Sequence, residues 1–182
     1  MIFTKGTTLY HASYTEVFKP NLAVCRLGKD FGRGFYLTTD YKQAKLFTQS
    51  SIGKAKAEGR IDETHNTGFI TEFIVEDEPN IKYIEYPEAN VEWLECVVAH
   101  RKEPEVDTSK WARFDAIAGK IANDNTNFVI TAYIRGAYGE TGSNEAAATA
   151  IRLLEPENSK DQVCLRTEDA LACIKYIKTE EV

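Results

Sequence analysis

Three short segments of the sequence combine polar or aromatic side chains with the residue alternation of a β-strand. The first carries His11 and Ser13, which a strand would place on one face. The second carries Tyr36, whose ring offers a face for stacking and a hydroxyl for hydrogen bonding. The third carries Gln162, which alternation turns away from the apolar face of its strand. Taken singly, each also fits an ordinary structural position: a core histidine, a core tyrosine in a bulged strand, and a solvated strand end.

Glycines precede the tyrosine at positions 32 and 34. A glycine lacks Cβ, so the backbone there leaves room for either a flat ligand or another stretch of backbone. The spacing alone does not choose between these two occupants.

Together the three segments resemble the His/Tyr/Glu signature of ADP-ribosyltransferases related to poly-ADP-ribose polymerases and diphtheria toxin. Four longer blocks resemble, more closely, a bacterial domain-of-unknown-function family that is grouped with this transferase fold. They are residues 29–39, 93–101, 114–119 and 162–167. The resemblance runs from Thr8 to Ile177, and its first two blocks are the more specific ones.

The resemblance implies a role for each matching residue. His11 would hold a ribose hydroxyl of NAD, Tyr36 would stack on the nicotinamide ring, and Gln162 would complete the catalytic set. The NAD-binding residues implied are His11, Ser13, Arg33, Gly34, Tyr36 and Thr38. NAD is a substrate in this reaction, and its pyrophosphate requires a cation or backbone amides, for which Arg33 and Lys29 are the nearest options.

Gln162 departs from the family pattern, which has glutamate at this position. A carboxylate can orient the ribose and also accept a proton from the acceptor, whereas an amide only forms hydrogen bonds near pH 7. Either another carboxylate acts as the base, or a naturally nucleophilic acceptor needs none. The candidate carboxylates are Asp115, Asp124, Asp161, Glu168 and Asp169.

The function that the resemblance implies is NAD-dependent mono-ADP-ribosyl transfer to a macromolecular acceptor, with release of nicotinamide. Bond cleavage develops oxocarbenium-like charge, so the site must hold the ribose in a reactive geometry. The family's gene settings suggest the toxin of a bacterial toxin–antitoxin pair, with an antitoxin protein as a partner. The alternatives are a non-catalytic or weakly hydrolytic NAD-binding module on the same fold, and an interaction domain whose cleft binds a peptide.

The elements that would position these residues alternate irregularly along the chain. Period-2 alternation predicts strands at 8–13, 34–38, 69–76, 82–85, 114–120 and 161–166. Helical spacing predicts helices after the Asp40/Gln43 capping pair, with Ala44, Phe47 and Ile52 on one face, and at 88–100, 125–135 and 144–154. A last helix, capped by Thr167, would bury Leu171, Ile174 and Ile177.

This order predicts an α+β fold rather than a doubly wound sheet. The resemblance adds split antiparallel or mixed sheets, flanking helices and a central NAD cleft. No repeat or linker divides the 182 residues, so one domain spanning 1–182 is expected. Glycine-containing segments at 51–68 and 136–144 interrupt the pattern, and a mobile loop or a short solvated helix is expected in the first.

Composition excludes several classes of protein. Lysine and arginine number 22 against 28 acidic residues, a net charge of −6, which disfavours a nucleic-acid or membrane-surface binder and favours a protein or small-molecule acceptor. Neither a Rossmann GxGxxG nor a P-loop motif is present. The four cysteines lie far apart and predict buried thiols rather than a metal site. With no apolar run long enough to span a membrane, a soluble cytoplasmic protein is expected.

Overall fold

The computed structural model describes residues 1–102, 110–121, 124–154 and 160–182. In chain order its elements are β1 (Thr8–Ser13), a 3-10 turn (Leu22–Val24), β2 (Phe35–Leu37), α1 (Tyr41–Ala57), β3 (Phe69–Val75), β4 (Tyr83–Tyr86), α2 (Val91–Lys102), β5 (Ala116–Lys120), α3 (Asp124–Ile134), α4 (Asn144–Leu153), β6 (Asp161–Leu165), α5 (Glu168–Ala172) and β7 (Ile174–Glu181).

The described strands form two sheets. One has the order β1-β3-β7 and the other the order β2-β6-β5-β4. All pairs are antiparallel except β4 with β5. An isolated bridge between Tyr10 and Thr38 joins β1 to β2 and so connects the two sheets. This mixed α+β architecture confirms the fold class predicted from the order of elements.

Alternate residues of β2 and β6 enter two different hydrophobic clusters. Phe35 and Val163 join Leu9 of the first sheet in one cluster, which packs the two sheets together. Tyr36 and Cys164 point the other way, toward a second cluster built mainly from α2, α3 and α4. Strand alternation therefore divides the neighbourhood of Tyr36 into an intersheet side and a helix side.

The prediction for the end of the chain is wrong beyond the first helical turn. Thr167 caps a helix as expected, but α5 ends at Ala172 and β7 follows. Instead of being buried, Ile177 is 46% exposed. The segment from Ile174 carries isoleucine, tyrosine and threonine, which suit a strand, and it pairs with β3 along its whole length. This pairing replaces the helical burial that the spacing predicted.

The first long helix begins where predicted and ends later than predicted. The Asp40 side chain caps it by accepting a hydrogen bond from the Gln43 backbone N–H, and Ala44 and Ile52 are buried. Phe47, predicted on the same buried face, is 44% exposed. The helix continues to Ala57, so the segment 51–68 is helical in its first part. In the part of the chain that the structure describes, no helix is long and apolar enough to cross a membrane.

Candidate functional site

The three predicted catalytic residues lie on three strands that are neighbours in space. His11 is on β1, Tyr36 on β2 and Gln162 on β6. The β2–β6 register places Tyr36 opposite Cys164, and Gln162 lies two positions nearer the amino end of β6 on the same side of the sheet. Residues that are about 150 positions apart in sequence therefore lie on neighbouring strands, with Tyr36 and Gln162 on the helix side and His11 against Phe35 on the intersheet side.

The strands β1 and β2 separate next to these residues. Tyr10 and Thr38 exchange two backbone hydrogen bonds, of 2.8 and 3.0 Å. Continuing an antiparallel ladder would next pair Ala12 with Tyr36. Instead, the Tyr36 carbonyl accepts a hydrogen bond from His11 Nδ1 at 2.8 Å. We call this opening, bounded by His11, Ala12 and Tyr36, the strand split.

The backbone of Ala12 faces the strand split. Its N–H and C=O point the same way as those of Tyr10, toward β2, because successive backbone groups of a strand alternate in direction. In the described chain no backbone group of β2 pairs with them. Ala12 is half-buried, so one donor and one acceptor are presented side by side at an accessible strand edge.

The contacts of His11 fix its protonation and its tautomer. Its ring stacks on Phe35 with a centroid distance of 4.2 Å, on the intersheet side. Burial lowers the pKa of His11 below its ordinary value, partly offset by the hydrogen bond to the Tyr36 carbonyl. Because a carbonyl only accepts, Nδ1 carries the proton. The neutral ring therefore has Nε2 as its hydrogen-bond acceptor.

The hydroxyl of Tyr36 holds the preceding loop. It donates to the Gly32 carbonyl at 2.8 Å and accepts from the Phe31 N–H at 2.9 Å. Burial raises the pKa of Tyr36 well above its ordinary value, so the phenol stays protonated. Its proposed stacking on nicotinamide stays a prediction, and within the protein the ring packs toward the helix-side cluster.

Gly34 allows backbone, rather than a ligand, to approach. A Cβ there would lie 2.7 Å from the Leu165 carbonyl oxygen and would also collide with Cys164. Gly32 has a φ of +79° and lies against His100. Of the two occupants that the glycine spacing left open, the close neighbour of Gly34 is therefore strand β6.

Gln162 belongs to a buried polar network. The side chain is 8% exposed, and its amide nitrogen donates to Asp30 Oδ2 at 2.9 Å and to the Lys120 carbonyl at 3.4 Å. Asp30, itself 7% exposed, also accepts from Arg101 Nε at 2.9 Å. With the amide N–H groups engaged, Gln162 has Oε1 left as an acceptor. We refer to Asp30, Arg101 and Gln162 as the buried network.

Two of the candidate bases have structural partners. Asp161 forms an ion pair with Lys120 at 2.9 Å. Asp115 accepts from the Lys82 N–H at 2.8 Å and from the Thr167 hydroxyl at 3.1 Å. Both carboxylates thus contribute to local packing of the strand ends.

Glu168 and Asp169 do not reach Gln162. Both are exposed in α5, which follows the carboxyl end of β6, whereas Gln162 is near its amino end. The side chain of Asp124 lies outside the described residues. Among the side chains that are described, no three His, Cys, Asp or Glu residues gather closely enough to hold a metal ion.

The other predicted NAD-binding side chains have internal contacts. Ser13 is buried and its hydroxyl accepts from the Thr15 N–H at 3.3 Å. Thr38 is also buried, and its hydroxyl accepts from the Asp40 N–H at 3.1 Å. Lys29 is exposed; partial desolvation of its ammonium, followed by repulsion from Lys54, lowers its pKa.

Arg33 lies in a separate cleft beyond the start of β2. The cleft has a volume of about 390 Å³ and is bordered by Leu22, Ala23, Arg33, Phe114 and Arg166, among others. We call it the arginine cleft. Arg166 follows the end of β6, four residues after Gln162 and about 13 Å along the strand. The structure therefore does not bring Arg33 beside Gln162.

Sequence reasoning missed Asp30 and Arg101, the Ala12 backbone and the role of Arg166. An acidic residue before a glycine loop gives no sign that its partners lie 71 and 132 positions away. The backbone groups of Ala12 are exposed to the split because β1 and β2 separate there, and the side-chain types do not predict where two strands separate. Strand alternation places Arg166 on the same face as Gln162 and does not indicate which residues lie beside it.

In the described part of the chain, two sheets are connected by the Tyr10–Thr38 bridge and helices pack against the second sheet, which defines a mixed α+β protein. The chain belongs to the family described as "Protein of unknown function (DUF3990)", whose model matches residues 7–176. No curated protein and no solved structure matches the chain significantly. The family description assigns no activity, so the likeness to ADP-ribosyltransferases stays a prediction.

Proposed function

We propose that this protein is an NAD-dependent mono-ADP-ribosyltransferase that binds the nicotinamide end of NAD in the strand split. ADP-ribose is transferred to a macromolecular acceptor, with protein favoured by the acidic net charge, and nicotinamide is released. The bacterial toxin–antitoxin setting and the cytoplasmic location belong to the same proposal. The toxin–antitoxin setting is based on the sequence resemblance, and the cytoplasmic location on the dispersed cysteines and the lack of a long apolar run.

The observation that carries the proposal is the unpaired donor and acceptor of Ala12 at the strand split. A primary carboxamide has a carbonyl that accepts and an NH2 that donates, so it can form two hydrogen bonds with one residue of an open strand edge. Nicotinamide carries this group. A strand edge of this kind selects a neutral amide over a carboxylate, which has no donor for the Ala12 carbonyl.

His11 supports the same placement. With Nδ1–H held by the Tyr36 carbonyl, Nε2 is an acceptor next to the split. A ribose hydroxyl is a suitable donor to it. The hydrogen bond that orients the ring is made before any ligand arrives, so little ordering is required on binding.

The chemistry consists of exchanging one bond at the ribose C1′ carbon. The bond to the nicotinamide nitrogen breaks, its electron pair returns to the ring and neutral nicotinamide leaves, while the acceptor atom forms the new C1′ bond. Positive charge develops on the ribose, so holding the sugar in a reactive geometry provides much of the acceleration. An acceptor hydroxyl must also lose its proton, which the Gln162 amide does not take up.

A second candidate function is NAD binding without efficient transfer. It is favoured by the contacts of Gln162, whose amide nitrogen is bound to Asp30 inside the protein. In this alternative the split recognises NAD and the bound complex is the functional state. Slow hydrolysis of NAD would accompany it.

Incubation with NAD labelled on the adenylate phosphate tests the proposal. Label on a protein supports transfer, nicotinamide release without label supports hydrolysis, and saturable binding without turnover supports the second candidate. Failure to bind NAD contradicts both.

Substitution at Ala12 connects these outcomes to the strand split. Ala12→Pro removes the N–H that faces β2, and the hydrogen bonds of the β1–β3 ladder do not use it. We expect NAD binding at least about tenfold weaker, equivalent to about 1.4 kcal/mol. Ala12→Gly is the matched control, since it keeps the N–H and should bind NAD nearly normally.

A further inference from the structure

We propose that the arginine cleft is a phosphate-binding site. Two guanidinium groups, from Arg33 and Arg166, border one cavity of about 390 Å³. A guanidinium presents planar N–H donors that match the oxygens of a phosphate group. The site is distinct in position from the strand split, and the proposal stands without the transferase function.

Both guanidinium groups are anchored by backbone carbonyls. Arg33 donates from Nε to the Leu22 carbonyl at 3.1 Å and from Nη2 to the Ala23 carbonyl at 2.9 Å. Arg166 donates from Nη1 to the Trp111 carbonyl at 2.7 Å. These bonds fix the orientation of both side chains in advance, which reduces the entropy that binding would otherwise cost.

No acidic side chain among the described residues balances the charge of Arg33. Within the described residues it forms no ion pair, in a protein whose net charge is −6. Its two anchors are neutral carbonyls, so the guanidinium retains its full charge and at least the Nη1 donors. An anion in the cleft would supply the missing counter-charge.

The Thr167 hydroxyl, which also borders the cleft, adds no free hydrogen-bonding group to the two guanidinium groups. Thr167 donates to Asp115 Oδ1 at 3.1 Å and accepts from the Ala170 N–H at 3.2 Å. Both roles are internal, so the side-chain polar groups that the cleft offers are guanidinium N–H groups. A ligand rich in acceptors and poor in donors fits such a site, and an oxyanion has this chemistry.

The apolar part of the lining indicates what carries the phosphate. Phe114, Leu22 and Ala23 border the same cavity, and the Arg113 guanidinium lies 5.0 Å from the centre of the Phe114 ring. Apolar and aromatic surface beside cationic donors suits an organic phosphate better than the bare ion. The cavity is large enough for a phosphate with a small organic group attached.

Two sources of phosphate match this chemistry. Arg33 precedes Tyr36 by three residues, about 10 Å along an extended chain. One source is therefore the diphosphate of an NAD molecule held at the strand split, and the other is a separate phosphorylated compound. Both would place phosphate oxygens against the same two arginines.

Calorimetric titration of the full chain with inorganic pyrophosphate tests the site directly. We expect saturable binding that is at least about tenfold weaker in Arg33→Gln, because one charge-assisted set of hydrogen bonds is lost. Ala23→Glu, which adds a negative charge at the cleft border and leaves both arginines in place, should weaken binding at least as much. Lys178→Gln on β7 is the control, because it removes one exposed positive charge that does not border the cleft.

Three results would overturn the proposal. They are no saturable binding of pyrophosphate, equal weakening in Lys178→Gln, and unchanged binding in both cleft variants. Equal weakening in Lys178→Gln would mean that pyrophosphate responds to the overall charge of the protein. Unchanged binding in both cleft variants would mean that it binds elsewhere.

A second titration, with NAD already bound, identifies the source. Competition between NAD and pyrophosphate supports the site with the NAD diphosphate as its ligand. Simultaneous binding supports the site with a separate phosphorylated ligand. If the protein does not bind NAD at all, the pyrophosphate result still stands, so failure of the transferase proposal is distinguishable from failure of this one.

Discussion

The strand split and the arginine cleft both adjoin β2 and offer different hydrogen-bonding groups. The split presents a backbone donor beside a backbone acceptor at Ala12, together with the neutral acceptor of His11. The cleft presents cationic donors from Arg33 and Arg166. A neutral amide and hydroxyl groups suit the first region, and an oxyanion suits the second. The difference shows how one short strand can separate two kinds of recognition.

The two regions also differ in what supports them. Behind the split, the Asp30–Arg101–Gln162 network and the Tyr36 hydroxyl hold the loop in place through buried hydrogen bonds. In the cleft, Arg33 is exposed and donates to the Leu22 and Ala23 carbonyls, and Arg166 donates to the Trp111 carbonyl. Substitutions should therefore affect folding strongly behind the split and weakly at the cleft.

The largest effect is expected for Asp30→Ala. It leaves Arg101 and the Gln162 amide without their buried carboxylate, which typically costs about 3–5 kcal/mol of stability. Urea unfolding followed by circular dichroism measures it. Arg33→Gln serves as the comparison and should cost less than about 1 kcal/mol. Equal costs at the two positions would mean that the buried network and the arginine cleft contribute alike to stability.

Gln162→Glu should also destabilise the protein, by about 2–3 kcal/mol at neutral pH, because it sets a second carboxylate against Asp30. Burial and the like charge raise the pKa of the introduced carboxyl in the folded state. The folded form then binds more protons than the unfolded one, so stability falls as pH rises through that raised value.

The double variant Asp30→Asn with Gln162→Glu tests the reason for this loss. It exchanges the amide and the carboxylate while keeping one of each, so most of the lost stability should return. A double variant as unstable as the sum of the two single variants would show that the hydrogen bond between these side chains is not what matters. Unfolding curves of all four proteins at pH 7 form the cycle.

A smaller effect is expected for Tyr36→Phe. The change removes the hydroxyl that bonds the Phe31 N–H and the Gly32 carbonyl. Losing these two hydrogen bonds should lower the free energy of unfolding by about 1–2 kcal/mol. Hydrogen exchange of the Phe31 amide should accelerate, whereas amides bordering the arginine cleft should not change. Uniform acceleration in both regions would argue against a local role for the hydroxyl.

The smallest effect is a pH dependence that distinguishes the two regions. Burial lowers the pKa of His11 in the folded state, so the unfolded state binds more protons. The stability that the neutral His11 ring contributes is therefore complete above pH 6.5 and is lost as pH falls toward the lowered pKa. Protonation of His11 in the folded protein also removes the Nε2 acceptor, so NAD binding should weaken as pH falls through the lowered pKa of His11. Sulfate binding at the cleft should stay constant from pH 7.5 to about 5.5, because neither sulfate nor arginine titrates there. His11→Asn should flatten the NAD profile.

Much of the fold could be predicted because the relevant signals are local. The alternation at 8–13 predicted β1 with the observed bounds, and the Asp40 cap predicted the start of α1. The Thr167 cap was equally local and correct. The long helix predicted after this cap was wrong, because the chain from Ile174 forms β7 by pairing with β3, about 100 residues earlier in the chain.

The candidate site was only partly predictable for the same reason. Alternation gave the faces of Tyr36 and Gln162, and the register agrees with it. No local pattern could show that Asp30 binds Gln162, or that β1 and β2 separate beside Ala12. Both facts depend on contacts between distant segments. Gly34 illustrates the limit, since its spacing allowed a ligand or a strand, and β6 is its neighbour.

Comparing NAD with its nicotinic acid analogue, in which a carboxylate replaces the carboxamide, tests the central claim most directly. Both dinucleotides have the same ribose and diphosphate groups and differ only in the ring substituent that is proposed to contact Ala12. Calorimetry should show NAD binding at least about tenfold more tightly, since the carboxylate has no donor for the Ala12 carbonyl. Equal affinity for the two dinucleotides would contradict recognition at the strand split.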